Sequence, residues 1–279
     1  MVAIAKASWC GRAVLQAKGV MDLGQSVSAL IEVRNMEMRW GSHLIQRDLS
    51  FQVQPAQVLA IAGGSGCGKS SLLRHLVGLQ APAQGEVLHE GVDFYASSEQ
   101  QQRSMLRRLG VMFQQGALWS SMSVGENVMA VLRALTDWSE RDIYWVARSK
   151  LALVGLVDAF DRSPSDLSGG MRKRAAIARA IAIDPPVLFL DEPSAGLDPL
   201  TSARLDALIC SFRDQLGMTV ILVTHELDSL FSVADRVIFL DAVSKTQIAE
   251  GSPAELLEHG PLGVRSFLSR GRIKEEEVA

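Results

Sequence analysis

A mainly parallel α/β fold is predicted for this chain, on three observations. Short apolar runs recur at Val58–Ala62, Leu109–Phe113, Val187–Leu190, Thr219–Val223 and Arg236–Leu240, with helix-patterned stretches between several of them. A strand covered on both faces reads as continuously apolar, so this alternation indicates a parallel sheet between two layers of helices. The second observation is a glycine-rich segment, Gly63-Gly64-Ser65-Gly66-Cys67-Gly68-Lys69-Ser70, set between one such run and the helical stretch Ser70–Val77. The third is size: 279 residues, 48% of them apolar, suffice for one large core, a small insertion and a tail.

Residues 1–30 scatter Lys6, Arg12, Lys18 and Asp22 among short apolar pieces and lack a signal-peptide core. They are expected to be a poorly ordered extension, or the product of a start site set too far upstream, with Met21 as the alternative. Ile31–Val33 and Leu49–Val53 read as short β-like pieces, and Pro55 and Gln57 turn the chain into Val58–Ala62. Pro82, Gly85 and Gly91 surround a strand at Glu86–Leu88, and Leu109–Phe113 gives a further strand ending at Gln114. From about 115 to 168 a helical subdomain is inserted, with Val128, Val131, Leu132 and Leu135 on one helical face. A helix over Met171–Ile183 stops at Pro185-Pro186, and a second covers Leu200–Leu216. The domain so defined spans 31–251, leaving a tail, 252–279, whose end Lys274–Glu277 reads as solvated.

Net charge is −3, which provides no basic field for nucleic acid, so no nucleic-acid partner is expected. Cys10, Cys67 and Cys210 are scattered without metal-ligand spacing, a usage that suits a reducing compartment. No apolar stretch approaches the roughly 20 residues of a bilayer-crossing helix.

The glycine segment fits G-x-x-x-x-G-K-[ST] at every fixed position, in the strand–loop–helix context which that motif requires. Its glycines let successive N–H groups turn inward on phosphate, and the following helix adds its positive end. Lys69 is placed to reach the β- and γ-phosphates and the Ser70 hydroxyl to bind Mg²⁺, with Ser71 next to it in the nucleotide site. Cys67 is either small filler or, at a helix start, a thiol of lowered pKa. Asp191 ends an apolar strand, the expected second Mg²⁺ contact, and Glu192 follows it. A second glycine pair, Leu167-Ser168-Gly169-Gly170, offers a hydroxyl and bare N–H groups at a helix start, a second anion site in a chain whose first loop already holds the phosphates.

This order of motifs resembles the nucleotide-binding subunit of ATP-binding-cassette (ABC) transporters from about Ile31 to about Gly251. The resemblance implies a P-loop NTPase fold: a mainly parallel RecA-like core, an antiparallel β subdomain and the inserted helical subdomain. It implies ATP and Mg²⁺ as cofactors, and a homodimer in which Leu167–Gly170 caps the γ-phosphate bound to the opposite subunit. By the same resemblance Glu192 orients or deprotonates the attacking water, and His225 hydrogen-bonds the γ-phosphate. Gln114 touches Mg²⁺ and the water, Gln115 being the alternative one residue on. Asp198 contacts the other subunit, though Asp198-Pro199 also reads as a helix N-cap. Trp40 stacks on adenine, or is a core or edge tryptophan.

Met171 and Lys173 stand where the commonest family pattern has glutamines. With Phe113–Trp119, Met122–Val128 and Val264–Leu268 they are similar to the ATPase of bacterial MCE-linked lipid transporters. That branch implies phospholipid cargo, a polytopic membrane permease, an MCE-domain partner and a peripheral place on the cytoplasmic face of the inner membrane. Leu118, Trp119 and Met122 would then meet the permease, or else pack inside the subdomain. Arg103, Arg107 and Arg108 read as a solvated face rather than a ligand site. A small-solute importer, a drug or peptide exporter, and a non-transport ATPase are the alternative functions.

Overall fold

The computed structural model describes residues 29–270; the expectations for Cys10, Met21 and Lys274–Glu277 lie outside the described residues. In chain order the strands are β1 (Ile31–Trp40), β2 (His43–Val53), β3 (Val58–Gly63), β4 (Gln84–His89), β5 (Val92–Asp93), β6 (Leu109–Met112), β7 (Val187–Asp191), β8 (Thr219–Val223), β9 (Arg236–Leu240) and β10 (Gln247–Gly251). The helices are α1 (Lys69–Leu76), α2 (Glu99–Leu106), α3 (Val124–Leu135), α4 (Glu140–Leu153), α5 (Gly169–Ala180), α6 (Pro199–Leu216), α7 (Leu227–Val233), α8 (Pro253–His259) and α9 (Leu262–Leu268).

Two sheets result. The larger runs β10-β9-β3-β8-β7-β6, parallel except where β10 pairs antiparallel with β9; the smaller is antiparallel, β2-β1-β4-β5. Every residue of β3, β7 and β8 is buried, as expected of central parallel strands. Leu188, Leu190, Val220 and Leu222 face a core shared with α5, α6 and the inserted helices. Leu59, Ile61, Phe189, Ile221 and Val223 face α1 and the antiparallel sheet. Phe189 is fully buried there, and truncation of such a ring to alanine typically costs about 3–5 kcal/mol.

The first two strands are longer than their sequence suggests, 10 and 11 residues rather than two short pieces. Their pairing shifts register between Val33 and Met36 and again beyond, with Asn35 and Asp48 in the left-handed region (φ 46° and 55°). Bulges of this kind break the period-two pattern, so only fragments of it survive in sequence. The helix expected from Met171 starts earlier, at Gly169, because the Ser168 hydroxyl caps it by accepting from the Met171 N–H at 3.3 Å. Beyond Gly251 the chain continues as α8 and α9, whose Leu256, Val264 and Leu268 pack with Val237 and Phe239 of β9.

The segment after β6 is held from two sides. Asn127 of α3, fully buried, accepts from the Trp119 N–H (2.8 Å) and donates to the carbonyls of Trp119, Met122 and Ser123. Arg179 of α5 donates to the carbonyls of Ala117 (2.6 Å) and Gly116 (2.9 Å), and its guanidinium lies 5.5 Å from the Trp119 ring centroid. Asn127→Ala removes a buried amide that serves four backbone groups, so it is expected to cost about 2–3 kcal/mol. At this chain size that corresponds to a fall in Tm of roughly 4–12 °C. Thermal unfolding followed by circular dichroism checks it, and an unchanged Tm would show that the turn holds itself.

Candidate functional site

Adjacent parallel strands end on one edge of the larger sheet, and the loops leaving β3, β6, β7 and β8 build a cleft of about 1150 Å³ there. Gly66, Lys69, Ser70, Gln114, Glu192 and His225 line it, with Trp40 at its rim, 68% exposed. The glycine loop enters from β3 so close to β9 that a Cβ on Gly63 (φ 142°) would lie 2.2 Å from the Leu240 carbonyl oxygen. Gly68, at φ 95°, is the N-cap of α1, and the first-turn N–H groups of that helix open beneath the loop. The Lys69 ammonium is folded into the loop, donating to the carbonyls of Gly63 (3.0 Å) and Gly64 (2.9 Å).

On the opposite side, β8 lies between β3 and β7, and this spacing brings the Ser70 hydroxyl to Asp191 Oδ1 at 3.0 Å. Burial raises the Asp191 carboxyl above its ordinary value; the Ser70 hydrogen bond works against that and the Glu192 charge adds to it. Glu192 is buried and left-handed (φ 52°), with its N–H bonded to the Val223 carbonyl at 2.9 Å. Its Oε1 meets His225 Nδ1 at 2.8 Å, while its Oε2 is buried without a hydrogen-bond partner. A buried acceptor left open in this way faces the cost of desolvation until a donor arrives.

Gln114, next to the end of β6, therefore joins Ser70, Glu192 and His225 around one cleft. Leu167, Ser168, Gly169 and Gly170 do not line it. Instead, the start of α5 rests on the turn before α6: a Cβ on Gly170 would lie 2.6 Å from Thr201 Cγ2 and 3.7 Å from Leu197 Cδ2. Asp198 caps α6, accepting from the Thr201 N–H at 3.0 Å; the Thr201 side chain and then this N–H lower its carboxyl pKa.

A sequence model of the family described as "ABC transporter" matches residues 46–195, more than half of the chain. The chain belongs to the ABC transporter family. It is an ABC ATPase, with the parallel core, antiparallel sheet and inserted helices expected of that fold. The intermembrane phospholipid transport system ATP-binding protein MlaF of Haemophilus influenzae is 38% identical over 239 residues, which cover 86% of this chain and 90% of the relative. A Mycobacterium bovis protein named "Probable ribonucleotide transport ATP-binding protein mkl" is 36% identical over 250 residues, 90% of this chain and 69% of that one. Among solved structures, the ATP-binding cassette MJ0796, dimeric in a post-hydrolysis state with ADP and Pi, superposes with a TM-score of 0.72. It is 25% identical and covers 80% of this chain and 98% of its own.

Several residues of the ABC site carry no readable motif. Gln46 of β2 is fully buried and donates from Nε2 to the carbonyls of Cys67 and Asp241, each at 2.8 Å, tying the antiparallel sheet to the glycine loop. Lys245 and Phe267 also line the cleft, the latter from α9. Lys173 reaches the backbone beyond β7; in sequence it marked only a departure from the common glutamine.

Cys67 is filler rather than a reactive thiol. It is 1% exposed, and burial raises its pKa although Lys69 pulls the other way. Alkylation of Cys67 by iodoacetamide near neutral pH is expected to be at least about tenfold slower in the native protein than in the urea-unfolded chain. Peptide mass mapping over time measures this, and equal rates would place the thiol at the surface.

Proposed function

We propose that this chain is the ATP-hydrolysing subunit of a phospholipid transporter, working as a head-to-tail homodimer on a polytopic membrane permease. The observation that carries the dimer is the separation of Ser168–Gly170 from the chain's own cleft, together with their packing on the Leu197–Thr201 turn. Ser168 and Gly169 and the turn that holds Asp198 thus lie side by side outside the cleft, and the N–H groups at the start of α5 suit a phosphate held by a second subunit. The dimeric state of the MJ0796 cassette supports this.

The Ser70 hydroxyl, the Asp191 carboxylate and the Gln114 amide are hard oxygen donors that fit Mg²⁺. Among the described residues no three His, Cys, Asp or Glu side chains cluster as a metal cage, so phosphate and water would complete the shell. When bound, the ion neutralises charge on the β- and γ-phosphates. Lys69 exchanges its loop carbonyls for phosphate oxygens, and Trp40 stacks on the base. Glu192 Oε2 accepts the proton of the attacking water while His225 Nδ1 fixes Oε1, which leaves Nε2 of the ring for the γ-phosphate. Gln114 and the braced turn after it, with Trp119 half-exposed, link the nucleotide to the permease.

The name of the MlaF relative supports phospholipid cargo; the MCE-domain partner and the site on the cytoplasmic face of the bacterial inner membrane rest on the resemblance of Met171, Lys173 and Phe113–Trp119 to that lipid-transport branch. No described helix is long and apolar enough to cross a membrane. A small polar cargo is the second reading, favoured by the name of mkl. Co-purification of a permease with an MCE-domain protein and phospholipid supports the first reading, and a soluble solute-binding protein in its place supports the second.

Glu192→Gln is expected to bind ATP and accumulate as a closed dimer while hydrolysis falls by roughly a hundredfold or more. Light scattering and phosphate release read both effects, and normal turnover would remove Glu192 from this role. Ser168→Arg and Lys69→Ala homodimers are each expected to be inactive, whereas their mixture regains activity from the one intact composite site per heterodimer. Full activity of Ser168→Arg alone would place each active site within one subunit.

A further inference from the structure

Lys173 projects from the second turn of α5, the helix that Ser168 caps, into the loop that follows β7. Its ammonium donates to the carbonyl oxygen of Glu192 at 3.1 Å and to that of Ala195. The first carbonyl belongs to the residue with the open carboxylate oxygen; the second belongs to the turn that runs into Leu197 and Asp198. Left-handed backbone is disfavoured for a glutamate and persists only where neighbouring bonds over-determine it. At Glu192 those bonds are its N–H on the Val223 carbonyl, on one side, and on the other its carbonyl, which accepts from Lys173 at 3.1 Å and from the Ala195 N–H at a longer 3.4 Å. Burial draws the Lys173 pKa down, and the nearby carboxylates of Glu192 and Glu226 push it back up.

We propose that Lys173 is a positioning residue for hydrolysis: by clamping the Glu192 and Ala195 carbonyls to α5, it aims the Glu192 carboxylate only while that helix is seated. The inference rests on Glu192 acting on the water, as proposed above. Its physical content is a rigid link between two sites. The N-terminus of α5 presents Ser168 and Gly169 outward, Gly170 is buried against Thr201 and Leu197, and the second turn holds the backbone of the proposed base in its own cleft. A shift of α5 on engaging the other subunit's nucleotide therefore moves the Glu192 backbone directly. Arg179, six residues and roughly 1.7 turns beyond Lys173 on the same helix, donates to the carbonyls of Gly116 and Ala117 after Gln114, so the helix also reaches the turn beyond β6.

Lys173→Met keeps the bulk of the arm and removes its donors. In the full-length protein, kcat is expected to fall about ten- to a hundredfold with KM for ATP within about threefold, and Lys173→Arg to recover most of the loss. In a Glu192→Gln background, adding Lys173→Met should change the residual rate by less than about twofold, because the two residues act as one unit. A parental kcat in Lys173→Met, a rise in KM alone, or a full multiplicative loss in the Glu192→Gln background would each overturn the proposal. Normal turnover by Glu192→Gln itself would instead sink the reading on which it rests. Should Lys173→Met fail to fold, Lys173→Gln, with two donors on a shorter neutral arm, enters the same cycle and must be intermediate in kcat.

Discussion

The ladder that places β8 between β3 and β7 sets the geometry on which the site depends. Parallel strands in register end at one edge, so Gly63, Val223, Asp191 and Met112 finish within neighbouring positions of the sheet, and the loops beyond them share one cleft. The 3.0 Å contact between Ser70 and Asp191, residues far apart in sequence, follows from that order of strands. Were β7 directly beside β3, the carboxylate would crowd the glycine loop; one strand further away, it would lose Ser70. The continuous apolar burial of β3, β7 and β8 keeps all three in the interior of the sheet, covered on both faces.

Around that rigid edge, the polar groups that do chemistry are held mainly through backbone carbonyls. Lys69 bonds its own loop, Gln46 bonds Cys67 and Asp241, Arg179 bonds Gly116 and Ala117, and Lys173 bonds Glu192 and Ala195. Donors from side chains thus satisfy carbonyls in loops that no sheet or helix ladder serves. Two of these donors belong to α5, whose start lies outside the cleft. A single helix consequently carries Gly169 and Gly170 at its start and touches the loop of the carboxylates and the turn after Gln114.

The sequence makes the local parts of this site readable because each is fixed by neighbours in the chain. Gly63–Ser70 needs only a strand before it and a helix after it, and Asp191 needs only an apolar run that ends in an acid. The long-range parts leave no such trace: nothing near Asn127 or Gln46 signals that a buried amide there will serve backbone groups in other segments. Bulges concealed most of β1 and β2 by breaking their alternation. The helix α8 had a usable signal, the capping box Ser252-Pro253-Ala254-Glu255 with proline at the first helical position, but its apolar pattern is too short to show which face is buried. Cys67 illustrates a limit of another kind, since a helix start alone suggests a lowered pKa and only the packing around the thiol reverses the direction.

The central claim is that one chain holds half of each catalytic site. Site-directed cross-linking tests it most directly, in protein whose Cys10, Cys67 and Cys210 are replaced by serine and which carries Glu192→Gln. One preparation bears Ser65→Cys, a second bears Ser168→Cys, and the two are mixed before a short thiol cross-linker is added. The composite site predicts a covalent pair of twice the chain mass that forms with ATP and is lost without it. Absence of that covalent pair under ATP, with an internal cross-link instead in a third preparation whose single chain bears both Ser65→Cys and Ser168→Cys, would contradict it.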